Sequence, residues 1–494
     1  MNSFFLLFIG LPTLEIFLMI KMGGKIGALN TIALIFLTAI IGIYFAKLQG
    51  IQTLRSGMVN LYQNKIPVYE LLSGASIAIA ALLLIVPGFF TDFVGCLLLM
   101  PFTRKVIFSI ALRNKSKINL NKKCCSIDGR GLNSYVFKDN LTIDAGNSGT
   151  AARLICSTLI KSPKKIKIIG DKSLSNRDMK RVIDPLKKFG ANFYPKNKIT
   201  LPFYVSGTKN IRPINYKELR GSAQCKSAVM LAALSARGTT KLKCKPSRNH
   251  TELLFKYLKI PIKITKKKGF DYIEVKGGEN FNSFNYTLPG DISSSAFFIV
   301  LTLLSKKSIL LIRNINVNPT RTGVIDILNL MGAKIKLKNK KTYKGEKIAD
   351  IFVEGSQNLK AINCPTNLNS GAIDEFLIIF LVAAKANGIS YFKKIGELNQ
   401  KESRRLEWGS KILNMMGVKT KLTNESIKIY GQPNLLLNKK YHIKNYLKDH
   451  RIFMMCTIAA LTLGGEWKIN DPDSIKTSFP SFLNIIKNIG GKLN

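Results

Sequence analysis

The sequence predicts an α-helical transmembrane N-terminal region followed by an α/β repeat protein. Two observations carry this. Residues 26–46, IGALNTIALIFLTAIIGIYFA, run 21 positions without a charge. At 1.5 Å per residue that spans the roughly 30 Å hydrocarbon layer of a bilayer. Beyond residue 126 one pattern recurs: a small, polar, often Gly-led start opens an apolar helix, and a second amphipathic helix runs into a short strand.

The N-terminal elements follow in order. Residues 3–20, SFFLLFIGLPTLEIFLMI, are apolar but contain Pro12 and Glu15. A carboxylate in lipid is costly, so Glu15 is expected to face another helix or to protonate. The stretch lacks the basic start and small-residue cleavage site of a signal peptide. Residues 71–101 are a third apolar stretch, broken by Pro87-Gly88 and Asp92. It reads either as one kinked span or as a hairpin of two short ones. Lys21 and Lys25 flank the 26–46 span on one side, and Lys47, Arg55 and Lys65 on the other, so charge leaves the orientation open. Residues 113–125, RNKSKINLNKKCC, carry five Lys/Arg and no acid. This basic linker either lies on anionic headgroups or is simply solvated.

The repeat has five copies. They are GNSGTAARLICSTLI from Gly146, GSAQCKSAVMLAALSA from Gly221, GDISSSAFFIVLTLL from Gly290, AIDEFLIIFLVAAKA from Ala372 and DHRIFMMCTIAALTL from Asp449. Their starts lie about 70–80 residues apart. The second helices include MKRVIDPLKKFGANF and RTGVIDILNLMGAKI, where a Gly after the helix is a C-cap signal. Burial along most of each first helix leaves its N-terminal turn facing a cleft. Such turns present unpaired N–H groups and a partial positive charge, which suits phosphate and carboxylate. Arg, Lys, Gln and Asp gather at these same turns.

Composition narrows the function classes. The chain has 494 residues, 46% apolar and 21% charged, which suffices for a core and excludes wholesale disorder. The 75 Lys and Arg against 29 Asp and Glu leave +46. That charge favours anionic partners or reflects compositional drift, since Lys, Asn and Ile are abundant throughout. Aromatics at 9% form no basic-interleaved stripe, so no nucleic-acid partner is expected. Eight Cys without a C-x-x-C, and three His at 250, 442 and 450, supply no metal framework. The soluble part is expected in a reducing cytosol.

Nine blocks carry a resemblance. They are DAGNSGTAARL (Asp144–Leu154), GSAQCKSA (Gly221–Ala228), PSRNHTE (Pro246–Glu252), PGDISSSAFF (Pro289–Phe298), NPTRTGVIDIL (Asn318–Leu328), IDEF (Ile373–Phe376), QKESRR (Gln400–Arg405), DHR (Asp449–Arg451) and KTSFPSF (Lys476–Phe482). With these, residues 126–494 resemble the 3-phosphoshikimate 1-carboxyvinyltransferase, or EPSP synthase, family. LPTLEI and IVPGFFTDFVGCLLLMPFTR make residues 1–113 resemble the FxsA-type inner-membrane proteins.

The resemblance implies an inside-out α/β barrel fold of two globes, each of three units, closing over the substrates. It implies transfer of the enolpyruvyl group of phosphoenolpyruvate to the 5-hydroxyl of shikimate 3-phosphate, with no metal or organic cofactor. Asp374 matches the proton acceptor near the 5-hydroxyl, and Glu402 the carboxylate for proton transfer at the phosphoenolpyruvate methylene. Gly149, Arg177, Gln224, Arg405, Arg451 and Lys476 match phosphoenolpyruvate-binding positions. Asn147, Ser222, Gln224, Arg248, Asp374 and Lys401 match positions that hold shikimate 3-phosphate. Guanidinium forks suit both anions, because two N–H groups bond two oxygens in one plane. His250 and His450 read as structural. The implied location is the inner (cytoplasmic) membrane through the N-terminal region, with the enzyme part in the cytoplasm.

The chain departs from the family in one large respect. The family's first unit opens with P-G-D-K-S-x-S-x-R, and nothing here matches it. Counting back one period from Asn147 lands near residue 72, inside the apolar stretch. The expected organisation is a membrane region over 1–113, a linker over 114–125, a two-unit globe over 126–265 and a three-unit globe over 266–494, five of six units in all. Two smaller departures are Asp178, where Pro is usual, and Arg404, where an acid is common. Three readings stay open at this level: an enzyme joined to a membrane anchor, a non-catalytic membrane protein carrying an enzyme remnant, and a fused reading frame whose lost unit lies elsewhere. The sequence leaves the oligomeric state unknown.

Overall fold

The computed structural model describes residues 10–62, 68–85, 88–100, 103, 118–120, 125–127, 131, 141–278, 281–355 and 358–492. The apolar start at 3–9, Lys65, Pro87 and linker residues 113–117 and 121–124 lie outside them. The chain forms two compact units, residues 1–130 and 131–494.

The first unit is helical: α1 (Leu11–Ile26), α2 (Ala28–Tyr62), α3 (Val68–Ile85) and α4 (Phe89–Leu99). Among the described residues, Ala28–Gln52 of α2 is the one stretch long and apolar enough to cross a membrane. Its Leu29, Ile32, Phe36 and Ile40 are exposed, as a lipid-facing helix requires. The 71–101 stretch divides into two shorter helices. Close packing rests on glycine. A Cβ on Gly42 would stand 2.6 Å from Leu84 Cδ1, and one on Gly95 2.7 Å from Leu84 Cγ, so α2 and α4 approach α3 where no side chain intervenes. Glu15 does face another helix. Its carboxylate accepts the backbone N–H groups of Phe90 at 3.2 Å and Thr91 at 2.6 Å, at the start of α4. Thr38 Oγ1 donates to Asp92 at 2.6 Å. The unit also holds the antiparallel pair β1 (Ile118–Leu120) and β2 (Cys125–Ile127), with Ile118 opposite Ile127. β1 therefore falls inside the segment read as a linker.

The second unit repeats one arrangement. Strands β3 (Thr142–Asp144), β4 (Ile166–Ile169), β5 (Asn192–Tyr194) and β6 (Phe203–Ser206) form a sheet ordered β3-β4-β6-β5. Strands β7 (Asn215–Glu218), β8 (Gly238–Cys244), β9 (Ile262–Lys267) and β10 (Phe270–Gly277) form another, ordered β7-β8-β10-β9. In both, the first pair is parallel and the others antiparallel. The expected lobe boundary at 265/266 cuts the β9–β10 hairpin. Hydrogen bonding of β10 to β8 carries the first lobe to Gly277, because a sheet strand cannot leave its ladder without orphaning backbone groups.

The second lobe has three sheets. They are β11 (Ile309–Asn316), β13 (Glu346–Glu354) and β12 (Lys334–Tyr343); β14 (Ile389–Phe392), β16 (Ile427–Tyr430) and β15 (Thr420–Leu422); and the parallel pair β17 (Leu437–Ile443) and β18 (Gly464–Ile469). Its three apolar helices, α9 (Ile292–Leu304), α11 (Phe376–Lys385) and α13 (His450–Leu463), touch one another. Phe376 through Ala384 are all fully buried. Among the described residues, the first lobe packs α5 (Gly149–Thr158) on α7 (Ala223–Ala233) this way. The helices between, α6 (Lys180–Lys188), α8 (His250–Tyr257), α10 (Gly323–Leu330), α12 (Arg405–Met415) and α14 (Phe482–Asn488), each have a buried and an exposed face. Four of these five end on a glycine at positive φ: Gly190, Gly332, Gly417 and Gly490. The fifth uses Lys259 at φ 57°, a conformation costing an L-residue about 1 kcal/mol or more.

Candidate functional site

Helix starts deliver most of the site. Ser148 Oγ accepts Ala151 N–H at 3.1 Å, and Ser222 Oγ accepts Cys225 N–H at 3.3 Å. Both serines cap their helices, which fixes the turns bearing Asn147, Gly149 and Gln224. The Glu218 carboxylate takes the backbone N–H groups of Arg220, Gly221 and Ser222 at 3.0, 2.7 and 3.1 Å, locking the second turn. Asn147 Oδ1 accepts Arg177 Nη2 at 3.0 Å, and its amide donates to Asp171 at 2.7 Å. A Cβ on Gly149 would stand 2.8 Å from Arg153 Nη1 and 3.2 Å from Arg177 Nη1. Only a bare backbone lets both guanidiniums come so close.

Asp374 is the centre of the second lobe's contribution. As the residue opening an apolar helix it would ordinarily act as an N-cap. Here the helix begins two residues later, at Phe376, with no side-chain cap, and the carboxylate turns into the cleft. Lys401 Nζ lies 3.1 Å from Oδ1 and Arg405 Nη1 3.7 Å. Arg248, from the first lobe, meets Oδ2. Arg451 Nη1 donates to the Asp374 carbonyl at 2.8 Å. Several ion pairs outweigh one capping bond, which explains the turn.

Glu402 is the second bridge between lobes. Its Oε1 lies 3.5 Å from Arg177 Nη1, its Oε2 meets Arg405 Nη2, and its backbone carbonyl accepts Ser173 Oγ at 3.2 Å. Arg405 is the most enclosed of the cleft's cations, 1% exposed. Asp449 holds it at two points, and Ser403 Oγ donates to the same carboxylate at 2.8 Å. The structure thus brings Asn147, Gly149, Arg177, Arg248, Asp374, Glu402, Lys401, Arg405 and Arg451 into linked contacts. Gln224 joins through Arg153, which donates to it at 2.6 Å, and Thr150, which accepts from it at 2.7 Å. Ser222 serves as a cap.

Lys476 lies apart. Its side chain is 71% exposed, and the ammonium pairs with Asp473 at 2.8 Å, one turn away. A local surface pair holds it, not the cleft. Arg404 also points outward, pairing with Glu407 at 2.7 Å, so it contributes no contact within the cleft. Asp178 Oδ1 accepts Lys180 N–H at 2.6 Å, a local turn bond that replaces the usual proline.

The electrostatics follow from this crowding. Burial alone would raise the Asp374 carboxyl, but Lys401, Arg248, Arg451 and Arg405 overcome it and hold it well below the usual carboxylate range. Burial raises Glu402 too, and Arg405 and Arg177 reverse that against opposition from Asp449. Asp449 is depressed likewise, by Arg405 against its own burial. Burial, aided by Arg451, lowers the His450 ring to about 4, so it is neutral at pH 7. A carboxylate surrounded by cations is a weak base. It gains proton affinity when anionic ligands engage those cations, and this arrangement can therefore switch on a base as it fills. Among the described residues, no three His, Cys, Asp or Glu come together as metal ligands.

Sequence reading missed four contributors. Asp449 and Ser403 clamp Arg405, Arg153 orients Gln224, and Glu375, fully buried beside Asp374, approaches Arg451 Nη1 at 3.6 Å. Each lies within a recognised block or beside a named residue, which was the available signal.

Two lobes of repeated α/β units, joined across a cleft of cations and paired carboxylates, define an anion-handling transferase of the enolpyruvyl-transferase fold. A solved enolpyruvyl transferase, NikO of Streptomyces tendae, shares that fold at TM-score 0.53 and 14% identity, over 68% of this chain and 75% of that one. The EPSP synthase of Acinetobacter baumannii superposes at TM-score 0.66 with 32% identity, covering 78% of this chain and 86% of its own. Residues 109–486 match the family EPSP synthase (3-phosphoshikimate 1-carboxyvinyltransferase). The 3-phosphoshikimate 1-carboxyvinyltransferase of Ruthia magnifica subsp. Calyptogena magnifica is 40% identical over 384 residues, covering 76% of this chain and 85% of that protein. That of Hydrogenovibrio crunogenus is 37% identical over 375 residues, covering 75% and 82%. The chain belongs to the EPSP synthase family. Residues 6–114 match the FxsA cytoplasmic membrane protein family.

Proposed function

We propose that the chain transfers the enolpyruvyl group of phosphoenolpyruvate to the 5-hydroxyl of shikimate 3-phosphate, releasing EPSP and phosphate. The observation that carries this is Asp374, a carboxylate held within reach of Arg248, Lys401, Arg405 and Arg451. Shikimate 3-phosphate binds on Asn147, Ser222, Gln224, Arg248 and Lys401, and its phosphate draws Arg248 and Lys401 from Asp374. Phosphoenolpyruvate binds against Gly149, Arg177, Gln224, Arg405 and Arg451. With its cations engaged, Asp374 accepts the proton of the 5-hydroxyl as that oxygen attacks the enol carbon. Glu402, which takes up a proton from solvent once Arg405 and Arg177 turn to the ligand, delivers it to the methylene and later removes one from the resulting methyl as phosphate leaves. Lys476 joins the anion site only if its exposed turn folds inward on binding.

The same reading places the family's first unit outside this chain, with five units present. It sets residues 1–113 in the cytoplasmic membrane with the enzyme lobes on the cytoplasmic side. Loss of a unit removes cations that would hold both substrates, so turnover below that of a six-unit enzyme is expected. The test is phosphate release from both substrates by the full chain in detergent, beside Asp374→Asn. Release that is no faster than in the variant would remove the catalytic reading.

A further inference from the structure

Arg451 is held from behind. Its Nη1 donates to the Asp374 carbonyl at 2.8 Å and lies 3.6 Å from Glu375 Oε1. Among the described residues its Nε and Nη2 meet no side chain, so that edge of the guanidinium is open to a ligand. Glu375 is fully buried, and its Oε1 accepts a close hydrogen bond from Ser293 Oγ. Ser293, 1% exposed, accepts in turn from Arg321 Nη2. Arg321 also pairs with Asp291 at 3.0 Å, and Asp291 caps α9 through Ser294 N–H at 3.0 Å. The donors run in one direction: Arg321 to Ser293 to Glu375, with Arg451 facing the same carboxylate oxygen.

We propose that Arg321, Ser293 and Glu375 form a positioning relay that sets the plane of Arg451 for phosphoenolpyruvate. This rests on the reading of Arg451 as a phosphoenolpyruvate ligand. A guanidinium bonds two anion oxygens only when its plane is fixed. Two contacts on Nη1 fix it, and one of them, Glu375, needs its own rotamer fixed. Ser293 does that by donating to Oε1. Arg321 orients the Ser293 hydroxyl, because a hydroxyl that accepts from a cation has its proton free to point at the carboxylate. Anchoring Arg321 on Asp291 ties the relay to the start of a buried helix, a rigid element. Arg321 belongs to the NPTRTGVIDIL block and makes no contact with the residues assigned to either substrate.

The experiment measures steady-state KM values for each substrate on the full chain in detergent, together with phosphoenolpyruvate affinity by calorimetry in the Asp374→Asn background, where shikimate 3-phosphate is present and turnover is too slow to contribute heat. Ser293→Ala, which removes one oxygen and adds no bulk, is the primary variant. Arg321→Ala and Arg321→Lys accompany it. The relay predicts that Ser293→Ala and Arg321→Ala weaken phosphoenolpyruvate about 10-fold or more while the KM for shikimate 3-phosphate stays within about 2-fold. Arg321→Lys, which keeps a donor and a charge, restores most of the loss. Unchanged phosphoenolpyruvate affinity in Ser293→Ala, or equal weakening of both substrates, overturns the relay. If the unaltered protein takes up no phosphoenolpyruvate, the functional reading itself fails and the relay with it.

Discussion

Arg405 and Asp449 form a two-point ion pair, Nε to Oδ2 at 2.8 Å and Nη2 to Oδ1 at 3.2 Å, with neither side chain more than 2% exposed. A buried pair gains little over an apolar one, but breaking it strands a charge. Asp449→Ala should therefore lower the unfolding free energy by about 3–5 kcal/mol. A thermal melt of the detergent-solubilised chain measures it. A melting temperature unchanged by the substitution would mean that Glu402 and Asp374 suffice to hold Arg405.

Asp374→Asn separates binding from chemistry. The amide keeps the shape but cannot accept the alcohol proton, so turnover should fall about 10²–10⁴-fold. Arg248 and Lys401 remain, and shikimate 3-phosphate should still raise the melting temperature. Loss of both together would assign Asp374 to binding alone.

His450 makes stability depend on pH. Its folded value, about 4, lies below the ordinary 6.5. Between these values the unfolded ring binds a proton that the folded ring refuses. Stability is thus fully present above about 6.5 and is lost as pH falls toward 4. Asp374 and Glu402, held down in the folded state, add their own loss at lower pH, as the unfolded carboxylates protonate around their ordinary values near 4. His450→Gln should shrink the drop in melting temperature between about pH 7 and pH 5. An equal drop in the variant would place the sensitivity elsewhere.

Gly149→Ala tests the close approach of two arginines. The new methyl would meet Arg153 Nη1 and Arg177 Nη1, the free ends of flexible side chains, so the fold should survive. The displaced Arg177 should raise the KM for phosphoenolpyruvate roughly 10-fold or more, read from initial rates.

Residues 10–62 should keep the chain with the bilayer. The intact protein should sediment with membranes and resist extraction by high salt, yielding only to detergent, because Leu29, Phe36 and Ile40 present apolar area to lipid. Release by salt alone would reduce the attachment to charge.

The helix starts were legible because each combines a small residue, a capping Ser or Asp and an apolar run, all local signals. Asp374 was legible only through its block. IDEF places two acids side by side, and nothing local says that Asp374 enters the cleft while Glu375 turns to Arg451. Asp449 was hidden for a related reason: its work is done on Arg405, 44 residues earlier, and long-range pairing leaves no periodicity. Lys476 opens a matched block, and that position gives no sign of which side of an exposed turn it occupies. The first lobe's end was misplaced because KITKKKGFDYIEVK is rich in charge yet pairs as β9 and β10, with alternate residues such as Ile273 and Val275 facing the core.

The most direct measurement is inorganic phosphate released by the purified full chain given shikimate 3-phosphate and phosphoenolpyruvate together. The account predicts release that needs both substrates and disappears in Asp374→Asn. Release with phosphoenolpyruvate alone, or equal release by the variant, would contradict it.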